Sequence, residues 1–534
     1  MKNKSPAELV LYCFGAAVLL AAVCFRLRLL HLPIDRDEGE YAYAGWRMCH
    51  GGIPFLDYYN MKMPGTYAAY ALLFLVFGST IEAIRWGLII VNLANTFFVF
   101  RLASLWYSKR TGIYAAICYL VFSLQVELQG TCSHAEHFAM LFVLAGMIAL
   151  TKAVEKKSLS LVFICGILLG IAFLMKQPAA SFFLMGGLLL ITGFAKIQAG
   201  SKYFLRSLLT LAAGISIPLL IITIVLFAAG AGNNFLLFAF SYAREYISYL
   251  TLKDGWNTCI DVLSMAIRPG ILLWLLVPVS FLSILFLKKT KGSANSFFFF
   301  IFSFLAVSAG FYFRPHYFQF LLPSVSIIAA AGLTSWENFW NQDTRRWSKL
   351  QFISLSYLVL AVSVFVYNER SLFALQKDEE IVRRIYGHDL FNATKKAGEF
   401  IATNSSADDR IAIFGAEPEI CFYAKRLAAS GFMYVYPFLE KQKYALTMRG
   451  KFYEEVLKSH AEILIYISNG GTWYANPGIH QEMFDWYKNY RDSSFKRIAL
   501  IDIPVKEPAI YHWSDDTTIH PVNEDNYIEI CRRK

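Results

Sequence analysis

Eleven apolar stretches dominate this chain, each close to the length that crosses a bilayer. They cover about residues 9–30, 82–104, 111–129, 135–151, 158–175, 179–195, 207–229, 270–287, 296–313, 317–334 and 350–367. A helix needs ~20 apolar residues to span the hydrocarbon core, where no water can satisfy an exposed backbone. Such a chain folds as a polytopic α-helical membrane protein. Composition agrees: 56% of the 534 residues are hydrophobic and 17% are charged, whereas soluble domains carry about 25% charge. The first stretch is long enough to span and no small-residue cleavage site follows it, so it reads as a membrane span, not a secretory signal. Arg26 and Arg28 near its end would snorkel to the interface.

The net charge of +11 does not mark a nucleic-acid binder. The basic residues fall in short clusters between apolar runs: Lys2 and Lys4, Lys109 and Arg110, Lys152 with Lys156 and Lys157, Lys196 with Lys202 and Arg206, Lys288 and Lys289 with Lys291, and Arg345 and Arg346 with Lys349. That is the pattern of cytoplasmic loops under the positive-inside rule. The segment 66–78 is apolar but only 13 residues long, too short to cross and suited to an interfacial helix. If it crossed, Lys109 and Arg110 would emerge on the wrong side. The expected topology therefore has a cytoplasmic N-terminus in the plasma (inner) membrane, an outer loop over 31–80 and an extracytoplasmic C-terminal region. Residues 1–370 form the expected transmembrane catalytic domain, and 378–534 a soluble α/β domain.

That soluble region has short apolar runs at Ile411–Phe414, Ile463–Ile467 and Ile498–Ile503, between helical stretches at Asn392–Thr403 and Glu440–Ser459. It carries no Gly-rich phosphate loop, and a structural or acceptor-guiding cap is its expected part. The nine cysteines include no CxxC pair. Cys13, Cys24, Cys118 and Cys165 fall inside spans, where they act as small hydrophobes.

The residues with chemistry converge on the outer side. In the first loop Asp35, Asp37, Glu38, Glu40 and Asp57 gather with Tyr41 and Lys62. Ionisable groups beside a membrane are expensive and mark working sites. Asp37 and Glu38 are adjacent and cannot both face one point on a helix, so one can act while the other braces it. A carboxylate here can accept a proton from an attacking hydroxyl or hold a divalent cation. Lys62, just before Pro64-Gly65, could snorkel to headgroups or grip a lipid phosphate. Further on, His134, Glu136 and His137 stand at the outer end of a span, as zinc ligands or as a polar helix cap. Lys176, Tyr242, Arg244, Arg268, Arg314 and His316 add cations and phenols, as interfacial anchors or as phosphate ligands.

Asp37-Glu38-Gly39-Glu40-Tyr41-Ala42, followed by Lys62-Met63-Pro64-Gly65, resembles the first-loop signature of the C-superfamily (GT-C) glycosyltransferases. Within that group it looks like bacterial protein O-mannosyltransferases and lipid A aminoarabinose transferases (glycosyltransferase family 39). Arg314–Phe318 and Phe414-Gly415-Ala416-Glu417-Pro418-Glu419 resemble bacterial members too. The resemblance implies a GT-C fold, Asp37 as the catalytic acid, and Lys62 and Arg244 as contacts to a polyprenyl phosphate donor. The sequence departs from the aminoarabinose transferase pattern at Met61, where an acid is usual, and at Met63, where proline is usual. A metal site built on that missing acid is put in doubt.

The function expected is inverting transfer of a sugar (a hexose or pentose) from a polyprenyl phosphate of undecaprenyl or dolichyl type to a hydroxyl acceptor on protein, lipid or polysaccharide. Asp37, Glu38 and Glu136 are the expected catalytic group, and Lys62, Arg244, Arg314 and His316 the donor-phosphate ligands. No cofactor is certain; a divalent metal cation held by Asp37, Glu136 and His137 is the candidate. A flippase or transporter, or a polymerase, for lipid-linked glycans is the rival reading. A transporter calls for charges near mid-membrane, whereas here charges lie towards span ends.

Overall fold

The computed structural model describes residues 6–196, 200–286, 291–339, 344–375, 377–470 and 477–534, apart from 506, 515, 517 and 519. Lys2, Lys4, Lys288 and Lys289 of the basic clusters lie outside the described residues. The chain divides into two compact units. One comprises Met1–Leu30, Arg85–Thr223 and Leu250–Ala374; the other comprises His31–Ile84, Ile224–Tyr249 and Leu375–Lys534.

The first unit is a helical bundle. Each of the eleven expected spans holds a helix, beginning with α1 (Pro6–Arg28). Among the described residues five helices are long and apolar enough to cross a membrane, and a sixth span is available if the bent pair Leu252–Ile267 and Ile271–Ser283 is counted as one. The bundle is built from pairs, such as Ala135–Lys156 with Leu159–Met175 and Lys109–Phe122 with Leu322–Phe339. Small residues bring backbones together: a Cβ on Gly166 would sit 2.5 Å from the Leu211 carbonyl oxygen. Lipid gives no hydrophobic drive between helices, so close backbone approach is what holds them.

Two local expectations change in this unit. Arg26 does not snorkel. It is buried and donates to the backbone carbonyls of Ser123 (2.8 Å) and Gly130 (3.1 Å). The reason is that the span expected over 111–129 stops as a helix at Phe122 and turns through a 3-10 segment, Val126–Leu128, leaving carbonyls that need a donor. Arg28 is exposed and caps the Phe373 carbonyl at 2.8 Å.

The second unit joins the first loop, residues 224–249 and the C-terminal region. Its sheet contains β1 (Arg410–Phe414), β2 (Leu427–Ala428), β3 (Ile463–Ser468), β4 (Phe495–Asp502), β5 (Ile510–His512) and β6 (Tyr527–Arg533), in the order β2-β1-β3-β6-β4-β5. β1 runs parallel to β2 and β3; β6 runs antiparallel to β3 and β4. Ile463 to Ile467 are all buried, as a central strand covered on both faces requires.

Two helices of the first loop pack on this sheet domain: α2 (Arg36–Cys49) and α3 (Gly65–Phe77). The interfacial-length α3 buries Tyr67, Tyr70 and Phe74 and exposes Leu72, Leu75 and Val76. Glycines set the spacing. A Cβ on Gly45 would lie 2.8 Å from Tyr70 Cβ, and one on Gly39 would lie 2.5 Å from Glu419 Cβ. Gly39 thus lets the short helix Glu419–Ala424 lie against α2. Gly39→Val is expected to cost about 1–3 kcal/mol by overpacking, read as a lower melting temperature of the purified protein.

Candidate active site

α2 begins with a capping box. The Asp35 carboxylate accepts from the Glu38 amide (2.9 Å), and the Glu38 carboxylate accepts from the Asp35 amide (3.1 Å). Two orphan donors of the first turn are satisfied reciprocally. The brace expected of Glu38 is therefore a cap on its own helix, with its side chain turned back to residue 35. The next turn presents Asp37, Glu40 and Tyr41 at i, i+3 and i+4, one face of the helix.

That face receives Lys62. Its ammonium donates to Asp37 Oδ1 at 2.8 Å and to Glu40 Oε2 at 2.6 Å, and lies 4.5 Å from the centroid of the Tyr41 ring. Glu40 is the anchor. Its side chain is 0% exposed, and it also accepts from the Tyr67 and Tyr434 hydroxyls, the latter at 2.7 Å. Asp37 is 25% exposed. Two carboxylates one turn apart thus have different fates: one is buried among donors, the other is held but reachable. Burial works against the Lys62 ammonium, but the charges of Asp37 and Glu40 outweigh it and raise its pKa above the usual lysine value.

Tyr434 comes from the C-terminal domain, as does the clamp beneath α2. Arg36 donates to the fully buried Glu417 at 2.6 Å. Beside it, burial and then repulsion from Glu417 hold the Glu419 carboxyl well above its ordinary pKa. The segment Phe414–Glu419, noted in the sequence only as a family likeness, is thus what grips α2. Nearby, Lys425 donates to the Ser79 carbonyl at 2.8 Å, and burial pushes its pKa down to about 7. The unfolded chain therefore binds more protons between pH 7 and the usual lysine value, and stability should rise with pH across that window. The expected result is a melting temperature that climbs from pH 7 to pH 9.5, with a smaller climb in Lys425→Met.

Of the remaining candidates of this unit, Asp57 and Tyr242 are tied elsewhere and Arg244 is not. Asp57 accepts from the Ile53 amide at 2.6 Å and faces Arg47 at 3.7 Å. Tyr242 ends a π-helical turn, Leu237–Tyr242, and donates to Glu440 at 2.8 Å. Arg244 follows it and is exposed, with no hydrogen bond or ion pair among the described residues. π-helical turns recur at functional sites.

The first unit holds a separate cluster. Lys176 pairs with the buried Glu136 at 3.0 Å and lies 5.1 Å from the Tyr317 ring centroid. His316 stacks on His134 with centroids 4.2 Å apart, its Nδ1 is 2.9 Å from Gln129 Oε1, and its Nε2 is 4.0 Å from Glu136. His137 is buried, and its carbonyl accepts from Asn95 at 3.0 Å. Arg314 rests against the Tyr312 ring, 5.5 Å from its centroid, and Arg268 is exposed at the bend after Ile267. Removing Glu136 would strand the Lys176 ammonium. Glu136→Ala is expected to destabilise by about 3 kcal/mol, measured by thermal unfolding, and Lys176→Met in the same chain should recover part of the loss.

Residues 62–253 match the family model described as dolichyl-phosphate-mannose-protein mannosyltransferase. The structure of ArnT from Cupriavidus metallidurans bound to undecaprenyl phosphate superposes with a TM-score of 0.57 at 14% identity, over 87% of this chain and 93% of that one. The chain has the GT-C fold. The oligosaccharyltransferase AglB from Archaeoglobus fulgidus, in complex with an inhibitory peptide and a dolichol-phosphate, aligns over 96% of this chain and 75% of its own, at 12% identity and a TM-score of 0.48. No curated protein matches the chain.

The metal expectation meets competition from two ion pairs. Asp37 is engaged by one ammonium and Glu136 by another. A divalent cation would have to compete with those lysines for carboxylate oxygens, and the chemistry below is derived from protein side chains.

Proposed function

We propose that this protein transfers a sugar, with inversion, from a polyprenyl-phosphate carrier to a hydroxyl acceptor at the extracytoplasmic face of the plasma membrane. The observation that carries the proposal is the contrast between Glu40 and Asp37, a fully buried anchor and a partly exposed carboxylate joined by Lys62. The matched family is described as acting on a dolichyl-phosphate sugar, and the fold is that of ArnT, solved with undecaprenyl phosphate. The basic clusters support a cytoplasmic N-terminus and an outer C-terminal domain.

In the reaction, Asp37 accepts the proton of the acceptor hydroxyl as that oxygen attacks the anomeric carbon from the face opposite the phosphate. The bond from anomeric carbon to phosphate oxygen breaks, and its electron pair leaves with the polyprenyl phosphate. Arg244, exposed and with the guanidinium fork that matches phosphate oxygens, stabilises the charge that develops there. Lys62 acts chiefly by aiming Asp37 through its bridge to Glu40, a change from the phosphate contact that the resemblance implied. Glu38 acts through the cap of α2.

Both ionisable clusters sit at helix starts, Asp37 in the first turn of α2 and Glu136 in the first turn of its own helix. This favours transfer at a membrane surface over transport through the bilayer middle. The test is to incubate the purified protein in nanodiscs with polyprenyl-phosphate sugars and acceptor candidates. Acceptor-dependent release of free polyprenyl phosphate is expected. Movement of the intact donor between leaflets without its cleavage would instead identify a flippase.

A further inference from the structure

The first unit contains a cavity whose lining includes none of the residues assigned to the transfer reaction. It has a volume of about 670 Å³ and is lined by residues from several separate helices, among them Trp106, Thr151, Glu155, Asn295, Ser335 and Asn338. It lies far from Glu136. Glu136 opens the helix Ala135–Lys156, and Glu155 is in its last turn. Nineteen residues of helix separate them, about 28 Å at 1.5 Å per residue, close to the thickness of a hydrocarbon core.

The lining selects a class of ligand. Among the described residues no Lys, Arg or His lines the cavity, so its described lining offers a phosphate or other anion no cationic partner. Hydroxyl and amide side chains dominate the polar part. Glu155, Asn295, Ser335 and Asn338 make no side-chain hydrogen bond or ion pair among the described residues, so their polar groups are available to a ligand. Trp106, in contrast, is fixed: its indole N–H donates to Thr151 at 3.1 Å, and Tyr107 is held through its hydroxyl, 2.9 Å from Ser296. A lining that holds Tyr107, half-buried and fixed through its hydroxyl, beside amides and a carboxylate suits a neutral polyhydroxylated ring. The carboxylate can accept from two neighbouring hydroxyls, and the amides can both donate and accept. The volume lies within the range of small-molecule sites.

We propose that this cavity is a carbohydrate-binding site, separate from the Asp37 and Glu136 clusters, that takes a neutral sugar residue. The sugar is either free in the aqueous phase or the head of a glycolipid, and the chemistry of recognition is the same for both.

The test uses the full chain in phospholipid nanodiscs, free of glycoside detergents. Binding of free mannose, glucose and N-acetylglucosamine is measured beside binding of a mannosyl diacylglycerol supplied in the bilayer, for the native chain, for Glu155→Gln with Asn338→Ala, and for Asp37→Asn. We expect binding that weakens at least tenfold in the Glu155/Asn338 double variant and is unchanged in Asp37→Asn. Binding of the free sugars assigns the source to the aqueous phase, and binding of the glycolipid alone assigns it to the membrane. Photo-crosslinking of a diazirine sugar to peptides containing Thr151 or Asn295 gives a second reading should the double variant fold poorly. Absence of binding to all these probes, equal binding by the double variant with no such crosslink, or displacement of the sugar by inorganic phosphate would overturn the proposal.

Discussion

Replacing Asp37 with Asn is expected to lower the rate of sugar transfer by about 10³-fold, within the range that positioned general bases contribute, while the protein stays folded. Asn keeps the shape of the side chain and one oxygen for the Lys62 ammonium, now 2.8 Å away, so α2 and its bridge should persist. It loses the ability to take the acceptor's proton. Binding of polyprenyl phosphate should be nearly unchanged, because the assigned phosphate ligand is Arg244. The measurement is single-turnover release of polyprenyl phosphate beside equilibrium binding of the lipid. Full activity in Asp37→Asn would sink the assignment. Arg244→Ala should show the opposite pattern, with weakened lipid binding.

The second large effect is expected at Glu40. Glu40→Ala removes the common acceptor of Lys62, Tyr67 and Tyr434. It leaves an ammonium and two phenols in a site that burial has already dried. Removing one partner of a buried pair costs about 3–5 kcal/mol because the other charge is left uncompensated. Activity should also fall, since Lys62 would then be positioned by Asp37 alone. A purely structural Glu40 would lower the melting temperature without changing the turnover of the folded fraction. A positioning Glu40 lowers both, and Glu40→Gln, which keeps an oxygen for one donor, should recover stability more than turnover. Thermal unfolding together with turnover per folded molecule separates the two.

Much of this arrangement was legible in the residues. The spans were visible because a membrane helix must be apolar along about 20 residues, and that leaves a continuous trace. The carboxylates of 35–40 were visible because charge beside lipid is rare. The Asp35–Glu38 capping box went unread, although an acid three residues ahead of a glutamate is its signal, and it explains Glu38 better than pairing with Asp37 does. Strand β6 was missed. Its run Tyr527–Arg533 has Ile528, Ile530 and Cys531 interrupted by Glu529 and ends in two arginines, yet it forms a central strand between β3 and β4. So short an apolar run, broken by one charge and followed by two more, carries no clear strand period, and that hid it.

The roles within the cluster could not be read in this way. Asp37 and Glu40 are chemically alike and three residues apart, and nothing in their order says which is buried. The difference comes from Tyr434, almost 400 residues later in the chain, and from Tyr67. Likewise Lys176 and His316 reach Glu136 only because segments far apart in the chain pack together. The sequence by itself determined the membrane class, the acidic first loop and the short helix that follows it, since each is a local property of composition or spacing. Only the tertiary structure decided that Glu40 is the anchor, Asp37 the reachable acid and Lys62 the bridge between them. Burial and hydrogen-bond partners decide such roles, and both are set by contacts between residues far apart in the chain.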